Sequence, residues 1–569
     1  MLLGTVTEVA SLGMVLPFLG AITAPERIFS HPWAQPFVVG MGLTDSQQML
    51  LPLTILFGVA AVLSGATRLA LLWGQTHLGN AIGRDLGAAA YRRTLYQPYS
   101  VHSSRNSSEV IAVLITKINT VVYFIIIPLL TLVTSLFLIL TIVACMILVD
   151  PELTAVTFIG FGSMYAMVAI FFKSRVSGDS VNVTTCQNEV AQIIQEGLGG
   201  IREVLIDGLQ EKYSRIFRSA DGRLRLSLAN IAFISGAPRP VIESLALVLI
   251  GILAYFLADS QEGIMTALPV LGAFVLAAQR LLPLVQQTYA GWSSILGGQA
   301  TLKDVLALLE QPLPAHSTEP PGAPIGFTQT IELDNVHYRY NDRDAKVLRG
   351  ISLQIPRGSR IGFIGTTGSG KSTLLDIIMG LLFPTAGSLL IDGTAITETN
   401  HRKWQAHIAH VPQMIYLADT SIAENIAFGV PPEDIDQELV LKAARNAQIA
   451  DSIESWPAGY RTVVGERGVR ISGGQRQRIG IARALYKEAD VIVFDEATSA
   501  LDSDTEHAVM ESIKSLDREM TIIIVAHRLT TLKNCDQIVE LREGTIHRVG
   551  SYQEMIGNLE KSPEFTDIA

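Results

Sequence analysis

This sequence of 569 residues has few charged residues and few cysteines, and its basic residues are outnumbered by its acidic ones. Asp, Glu, Lys and Arg make up 17% of the chain, against roughly 25% in soluble proteins, which argues against a wholly soluble protein. The three cysteines, Cys145, Cys186 and Cys535, are too few and too scattered for a disulfide framework or a metal site. The formal net charge of −10 argues against nucleic acid as a partner, because phosphate binding requires a basic surface.

The charge is distributed unevenly along the chain. Residues 1–310 carry 18 basic and 19 acidic side chains, whereas residues 311–569 carry 25 and 34. This asymmetry predicts a membrane domain over 1–310 and an acidic soluble domain over 329–569. Between them, five prolines predict a linker over 311–328.

Six apolar runs, all before residue 290, are each compatible with the roughly 20 residues that a helix needs to cross a bilayer. They are 1–22, 50–74, 121–149, 153–172, 240–258 and 264–284. The first run begins at Met1 without a preceding basic residue, so we expect a membrane helix shortened at its start rather than a secretory signal.

The connections between these runs predict the orientation. Of 15 Lys and Arg residues in the connections, 14 lie in 75–120 and 173–239. The positive-inside rule therefore places these two connections in the cytoplasm. Both show helical apolar periodicity, so we expect the membrane helices to continue well into the cytoplasm.

A glycine-rich loop follows the strand pattern of residues 360–364. The residues that match G-x-x-x-x-G-K-[ST], with the first residue of the helix pattern after them, are Gly365, Thr366, Thr367, Gly368, Ser369, Gly370, Lys371, Ser372 and Thr373. Backbone N–H groups and the helix dipole of such a loop bind phosphate oxygens. Lys371 adds a positive charge, and Ser372 offers a hydroxyl to Mg²⁺.

A second pattern supplies two carboxylates that could act on a phosphate bound in this loop. Residues 491–494 are apolar and are followed by Asp495 and Glu496. A buried strand would deliver Asp495 to a metal ion and Glu496 to an attacking water. Because phosphoryl transfer depends mainly on positioning and charge neutralisation, the two patterns together predict nucleotide hydrolysis.

A third motif makes a family resemblance specific. Ile471 is followed by Ser472, Gly473, Gly474 and Gln475, about 100 residues past Lys371 and before the acidic pair. This order resembles the signature of the ATP-binding cassette (ABC) family. Ile471 stands where Leu is more usual, which is a conservative change.

The remaining elements of that family follow in order between residues 340 and 527, including Gly465 to Gly468 before the signature. The resemblance implies that Tyr340 stacks on adenine and that Gln413 takes part in catalysis and in metal binding. It also implies that Asp502 belongs to a nucleotide-binding loop and that His527 is a catalytic switch residue. ATP and Mg²⁺ are the implied cofactors.

The resemblance also implies an architecture. Six membrane helices followed by an α/β P-loop nucleotide-binding domain resemble a half-transporter of the exporter kind. In this family two nucleotide domains pack head to tail, so Ser472 and Gly474 of one subunit would meet the ATP held by Lys371 of the other. We therefore expect a homodimer in a bacterial inner membrane, with its nucleotide domains in the cytoplasm. By family position, coupling helices would lie near Tyr99 to Ser103 and near Leu209 to Arg215.

Three arginines suggest what is carried. Arg68, Arg239 and Arg280 lie towards the cytoplasmic ends of their apolar runs, where each could bind an anionic head group, because charges in membranes usually face a cavity. Each could equally snorkel to the interface, and Arg239 could pair with Glu243.

Short stretches around residues 8–18, 237–243 and 274–283 resemble bacterial flippases of lipid-linked oligosaccharides, which implies a polyprenyl pyrophosphate substrate. Two alternatives stay open. One is a general lipid or drug exporter. The other is an ATP-gated channel or regulator, against which Glu496 and His527 count.

Overall fold

A computed structural model of the chain describes residues 34–149, 151–244, 264–314, 322–341, 343–465, 468–496, 520–526 and 529–559, together with 248, 317, 505–509, 511 and parts of 6–32. The chain divides into two compact units. The first comprises Met1–Gln97 and Arg105–Pro312, and the second comprises Pro98–Ser104 and Leu313–Ala569. The short segment Pro98–Ser104 therefore belongs with the second unit, although it lies far from it in sequence.

Long helices dominate the first unit. In the described residues they are Pro25–Phe29, Gln35–Gly40, Leu50–Leu95, Ser107–Ala112, Ile118–Val121, Ile127–Val149, Pro151–Gly199, Ile201–Ile206, Gln210–Gly236 and Ile264–Leu309, with residues 238–244 also helical. Helix Leu50–Leu95 has 46 residues. At about 1.5 Å per residue it is about 70 Å long, more than twice the hydrocarbon thickness of a bilayer.

Two helical stretches of the described residues, Ser46–Leu95 and Ser107–Ala144, combine the length and the apolar composition needed to cross a membrane. The apolar runs 1–22 and 240–258 lie largely outside the described residues. The same holds for many side chains of 153–172 and for those of 264–280. The membrane spans predicted there stay predictions.

Close packing shapes the stretch from Ser107 onward. It contains two π-helical turns, Val113–Lys117 and Val122–Ile126. A Cβ atom on Gly83 would lie 2.5 Å from Val122 Cγ2, so the helix Leu50–Leu95 approaches this stretch through glycine. Lys117 is fully buried and forms an ion pair with Asp304 of helix Ile264–Leu309. Three helices of the first unit are thereby tied together.

The second unit contains two β-sheets. The strands are β1 Thr330–Tyr338, β2 Leu348–Pro356, β3 Arg360–Ile364, β4 Ala386–Ile391, β5 Thr394–Ala395, β6 Ile408–Val411, β7 Val491–Asp495, β8 Thr521–Val525, β9 Gln537–Arg542 and β10 Thr545–Gly550. One sheet is antiparallel, in the order β2-β1-β4-β5. The other has the order β10-β9-β3-β8-β7-β6, and its strands run parallel except for β10.

Strands β3, β7 and β8 are buried on both faces, as the continuous apolar runs of parallel strands require. The helices of this unit are Tyr99–Ser104, Lys371–Ile378, His401–Gln405, Ile422–Ile426, Gln437–Asn446, Ala450–Glu454, Gly473–Tyr486 and Tyr552–Leu559. The glycine-rich loop follows β3, Gln413 follows β6, and Asp495 ends β7. Because parallel strands end at one edge, the fold brings these residues to the same side of the sheet.

Candidate nucleotide-binding site

Two glycines give the loop after β3 its tight path. Gly365 has φ 151°, and a Cβ atom there would lie 2.3 Å from the carbonyl oxygen of Leu541. Gly370, which precedes helix Lys371–Ile378, has φ 100°, and its Cβ would lie 2.8 Å from Leu348 Cδ2. Only glycine fits at these positions without moving its neighbours. The loop therefore closes over the start of the helix.

Lys371 lies inside this loop and is only 8% exposed. Its Nζ donates to the carbonyl oxygens of Gly365, at 2.7 Å, and Thr366, at 3.1 Å. Burial lowers the pKa of Lys371, and the nearby carboxylates of Glu496 and Asp495 oppose that shift. The ammonium group is thus at the centre of the loop, facing two negative charges.

The hydroxyl of Ser369 offers a test of the predicted ligand. Its Oγ is buried and has no hydrogen-bond partner within the described part of the chain. Such an orphaned group is rare in native structures, because desolvating a hydroxyl without compensation is unfavourable. A phosphate oxygen would supply the missing acceptor, so this loop fits a nucleotide.

Glu496 of the acidic pair contacts Gln413 at the edge of the sheet. Gln413 Nε2 donates to Glu496 Oε2 at 2.6 Å. Glu496 has φ 50°, unusual for a residue with a side chain, and its backbone N–H donates to the carbonyl of Val525 at 3.0 Å. Because the amide nitrogen faces the carboxylate, the amide oxygen Oε1 is left for another partner. Carbonyl oxygens are suitable Mg²⁺ ligands, so Gln413 fits a metal beside Asp495.

Asp376 lies in the same region, and the sequence motifs did not identify it. Burial, with the charge of Asp495 as a second cause, raises the pKa of its carboxyl to about 6. Burial also raises the pKa of the Tyr99 phenol, and the charge of Asp376 is the next cause. An aspartate between the apolar residues Leu375 and Ile377 is the signal that could have revealed this group.

Tyr340 lies next to the same helix. Its hydroxyl is 3.1 Å from Thr373 Oγ1, and its ring packs edge-on against Tyr338 at 5.1 Å between centroids. The side chain is 47% exposed, which leaves one part of the ring accessible. The structure thus places this aromatic beside the phosphate loop, where the predicted adenine contact would be made.

The signature motif begins a separate helix. Ser472 is the N-cap of helix Gly473–Tyr486, and its Oγ accepts from the Gln475 N–H at 3.2 Å. In return Gln475 Oε1 accepts from the Ser472 N–H at 3.0 Å. This capping box satisfies two donors at the helix start. Gly473 is exposed.

Arg483 ties that helix to the segment that follows Gln413. Its Nε donates to the carbonyl of Asn425 at 2.9 Å, and Nη1 donates to that of Tyr416 at 3.0 Å. The guanidinium also stacks on Phe428 at 4.6 Å. These contacts therefore hold the signature helix against this segment.

Some predicted site residues lie outside the described residues, namely Asp502, His527 and the side chain of Arg280. Arg68 is exposed on helix Leu50–Leu95. Arg239 pairs with Glu243, with 2.7 Å between Nε and Oε1. The predicted convergence of the three arginines on one ligand stays a prediction.

Comparison with known proteins supplies the family. Two family models match the chain, the ABC transporter at residues 348–499 and the ABC transporter transmembrane region at residues 14–277. An ATP-dependent lipid A-core flippase of Chromohalobacter salexigens is 34% identical over 400 residues, which cover 70% of this chain and 68% of that protein. A protein of the same name from Alkalilimnicola ehrlichii is 31% identical over 494 residues, covering 86% and 83%.

A solved structure supports the fold. A bacterial Atm1-family ABC exporter with ATP bound matches with a TM-score of 0.77 at 23% identity, covering 99% of this chain and 97% of that chain. A helical membrane domain followed by this α/β domain defines a membrane transporter coupled to ATP hydrolysis. The chain belongs to the ABC transporter family, and the predicted fold class is confirmed.

Proposed function

We propose that this chain is a half-transporter that hydrolyses ATP to move an anionic lipid-linked substrate across a bacterial inner membrane. Its nucleotide domain would lie in the cytoplasm. The observation that supports hydrolysis most directly is the 2.6 Å contact between Gln413 and Glu496. Both residues follow the ends of strands in the sheet whose strand β3 leads into the loop of Lys371. This placement is the one that in-line attack on a bound phosphate would require.

Each residue of the site has a separate task in the proposal. The backbone of residues 365–370, the Ser369 hydroxyl and Lys371 bind the phosphates, and Tyr340 stacks on the adenine. Ser372, Asp495 and Gln413 Oε1 would hold Mg²⁺, which supplies charge neutralisation at the phosphate oxygens. Donors fixed in this way need no reorganisation when charge develops.

Glu496 acts on the water in this proposal. The hydrogen bond from Gln413 and the fixed backbone at φ 50° hold the carboxylate in place. A positioned carboxylate orients the attacking water and accepts its proton. His527 is the proposed switch residue, and Asp502 is proposed to belong to a nucleotide-binding loop. An ATP-gated channel or regulator would not need Glu496 in this position.

Two copies of the chain would complete the nucleotide sites. The exposed start of helix Gly473–Tyr486 presents backbone N–H groups, which favour an anion. We infer that the signature of one subunit covers the ATP bound by the loop of the other. Ser472→Arg chains co-reconstituted with Lys371→Ala chains should regain part of the ATPase activity, since each heterodimer has one intact site. The variants assayed alone are the controls, and a strictly monomeric protein in membranes would contradict the dimer.

The substrate site rests on Arg68, Arg239 and Arg280. Relatives named lipid A-core flippases support a lipid substrate. The resemblance to lipid-linked oligosaccharide flippases favours a polyprenyl pyrophosphate glycan. Arginine suits both, because its planar fork binds phosphate in a bidentate manner.

The test is lipid-stimulated ATPase activity in nanodiscs. A polyprenyl pyrophosphate glycan, a lipid A-core and a panel of apolar drugs are compared at equal mole fraction. Stimulation by either lipid but not by drugs supports the proposal, and the stronger lipid identifies the substrate. Stimulation by drugs alone would replace it with a general exporter.

A further inference from the structure

Arg239 and Glu243 form an ion pair one helical turn apart at the start of the fifth apolar run. Arg239 Nε donates to Glu243 Oε1 at 2.7 Å, and the two side chains are 53% and 44% exposed. Within the described residues this is the one hydrogen bond of the guanidinium. The two terminal nitrogens of Arg239 can therefore still form a bidentate contact with an anion.

The backbone beneath this pair is well anchored. Residues 238–244 are helical after a single turn residue, Ala237. Ile242 is 1% exposed and packs with Tyr165 and Tyr289, which come from helices Pro151–Gly199 and Ile264–Leu309. Because Ile242 is held by two other helices, Arg239 and Glu243 project from a fixed segment.

We propose that Glu243 is a built-in counter-charge of the lipid head-group site. It pairs with Arg239 when no head group is bound, and it repels an anion that binds the terminal nitrogens of the same guanidinium. This inference rests on the proposed function, in which Arg239 contacts an anionic head group.

Two opposite effects of Glu243 have to be weighed. Holding the guanidinium in one orientation would increase affinity, but an exposed i,i+4 pair contributes little by itself. A carboxylate within a few ångströms of the bound anion would decrease affinity, because it repels the anion and also competes with it for the same guanidinium. The repulsion is therefore the larger effect. Glu243 lowers affinity, which speeds release of the head group after translocation.

The test uses the full chain in nanodiscs and proteoliposomes, with undecaprenyl pyrophosphate as the probe. Glu243→Gln keeps the shape of the side chain but removes its charge. We expect the mole fraction of probe for half-maximal ATPase stimulation to fall about tenfold, and the maximal flipping rate to fall as well, because release becomes slow. Glu243→Asp keeps the charge on a shorter side chain. Its half-maximal mole fraction and its maximal flipping rate should lie between those of Glu243→Gln and the wild type.

A matched pair elsewhere provides the control. Arg225 and Asp221 form an i,i+4 ion pair at 2.7 Å on helix Gln210–Gly236, outside the apolar runs. Asp221→Asn should change neither quantity. A half-maximal mole fraction that is unchanged or higher in Glu243→Gln overturns the inference, since it would show no repulsion.

Arg239→Ala separates this inference from the proposed function. If the probe stimulates Arg239→Ala as it stimulates the wild type, or does not stimulate the wild type at all, the head-group contact itself is wrong. If Arg239→Ala loses stimulation while Glu243→Gln behaves as the wild type, only the role of Glu243 is wrong.

Discussion

The nucleotide and membrane domains place their functional side chains in different ways. In the nucleotide domain the critical groups follow strand ends, so Gly365 to Lys371 and Asp495 to Glu496 are contiguous in sequence. In the membrane domain the candidate groups Arg68, Arg239 and Arg280 stand singly on separate helical segments. A site made from loops carries a motif, whereas a site made from facing helices does not. This difference explains why ATP hydrolysis was easier to predict from the sequence than the transported substrate.

The largest expected effect comes from a substitution in the nucleotide site. Glu496→Gln removes the carboxylate that orients water but nearly preserves its size. ATP turnover should fall about 100-fold or more, as for loss of a general acid or base, while ATP binding persists. Phosphate release and nucleotide binding measure the two quantities. The control is Glu488→Gln, which removes a surface ion pair with Lys442 at 3.1 Å. Near-normal turnover of Glu496→Gln would refute the assigned role.

A second effect tests the packing of the membrane domain. Asp304→Asn leaves Lys117 buried without a counter-charge, which should cost about 3 to 5 kcal/mol of stability. The double variant Lys117→Met and Asp304→Leu should recover most of that loss, because an apolar pair needs no charge compensation. Thermal unfolding in detergent checks both. Lys442→Ala, at an exposed pair in the nucleotide domain, should cost less than about 1 kcal/mol. If Asp304→Asn and Lys442→Ala lose the same amount of stability, the buried ion pair is no more important than the exposed one and this prediction is wrong.

The third effect concerns the arginines. Each charge-assisted contact contributes about 1.5 to 3 kcal/mol, so Arg68→Ala and Arg280→Ala should slow flipping of a lipid pyrophosphate roughly tenfold. Arg→Lys should recover part of the rate, since lysine keeps the charge but lacks the planar fork. Flipping in proteoliposomes measures both. If both alanine variants flip at the wild-type rate, these arginines only snorkel, and the general exporter is favoured.

The smallest effect lies at the start of the nucleotide domain. Asp392 accepts hydrogen bonds from the backbone N–H groups of Thr328, Gln329 and Thr330. Partial burial opposes ionisation, yet these hydrogen bonds together lower the pKa of its carboxyl. A lowered pKa means that the stabilisation is present above about pH 4, the ordinary aspartate value, and is lost as the pH falls through the folded-state value.

Asp392→Ala should therefore cost about 1 kcal/mol at pH 7, discounted for solvent exposure, and less at pH 3. Urea unfolding of the full protein at the two pH values measures the difference. A loss that is equal at both pH values would assign the effect to something other than ionisation.

Much of the fold was predictable for identifiable reasons. The apolar and polar alternation of the strands and the loop at Gly365 are local features, and the sequence order of the motifs matches the family. The π-helical turns Val113–Lys117 and Val122–Ile126 were not predicted, because they carry no local signal and accompany close contact with a neighbouring helix. Asp376 was missed because the pKa of its carboxyl is raised by burial and by the charge of Asp495, which is remote in sequence.

The sequence by itself determined the local chemistry. Gly365 and Gly370 specify the loop through their own backbone freedom, and Ser472 and Gln475, three positions apart, specify a helix start.

The tertiary structure decided which distant groups meet. Gln413 contacts Glu496 across 83 residues of sequence, and Lys117 pairs with Asp304 across 187. Pro98–Ser104 joins the unit that otherwise begins at Leu313. The physical reason is range, because backbone conformation depends on near neighbours, whereas these contacts exist only after whole strands and helices have packed against one another.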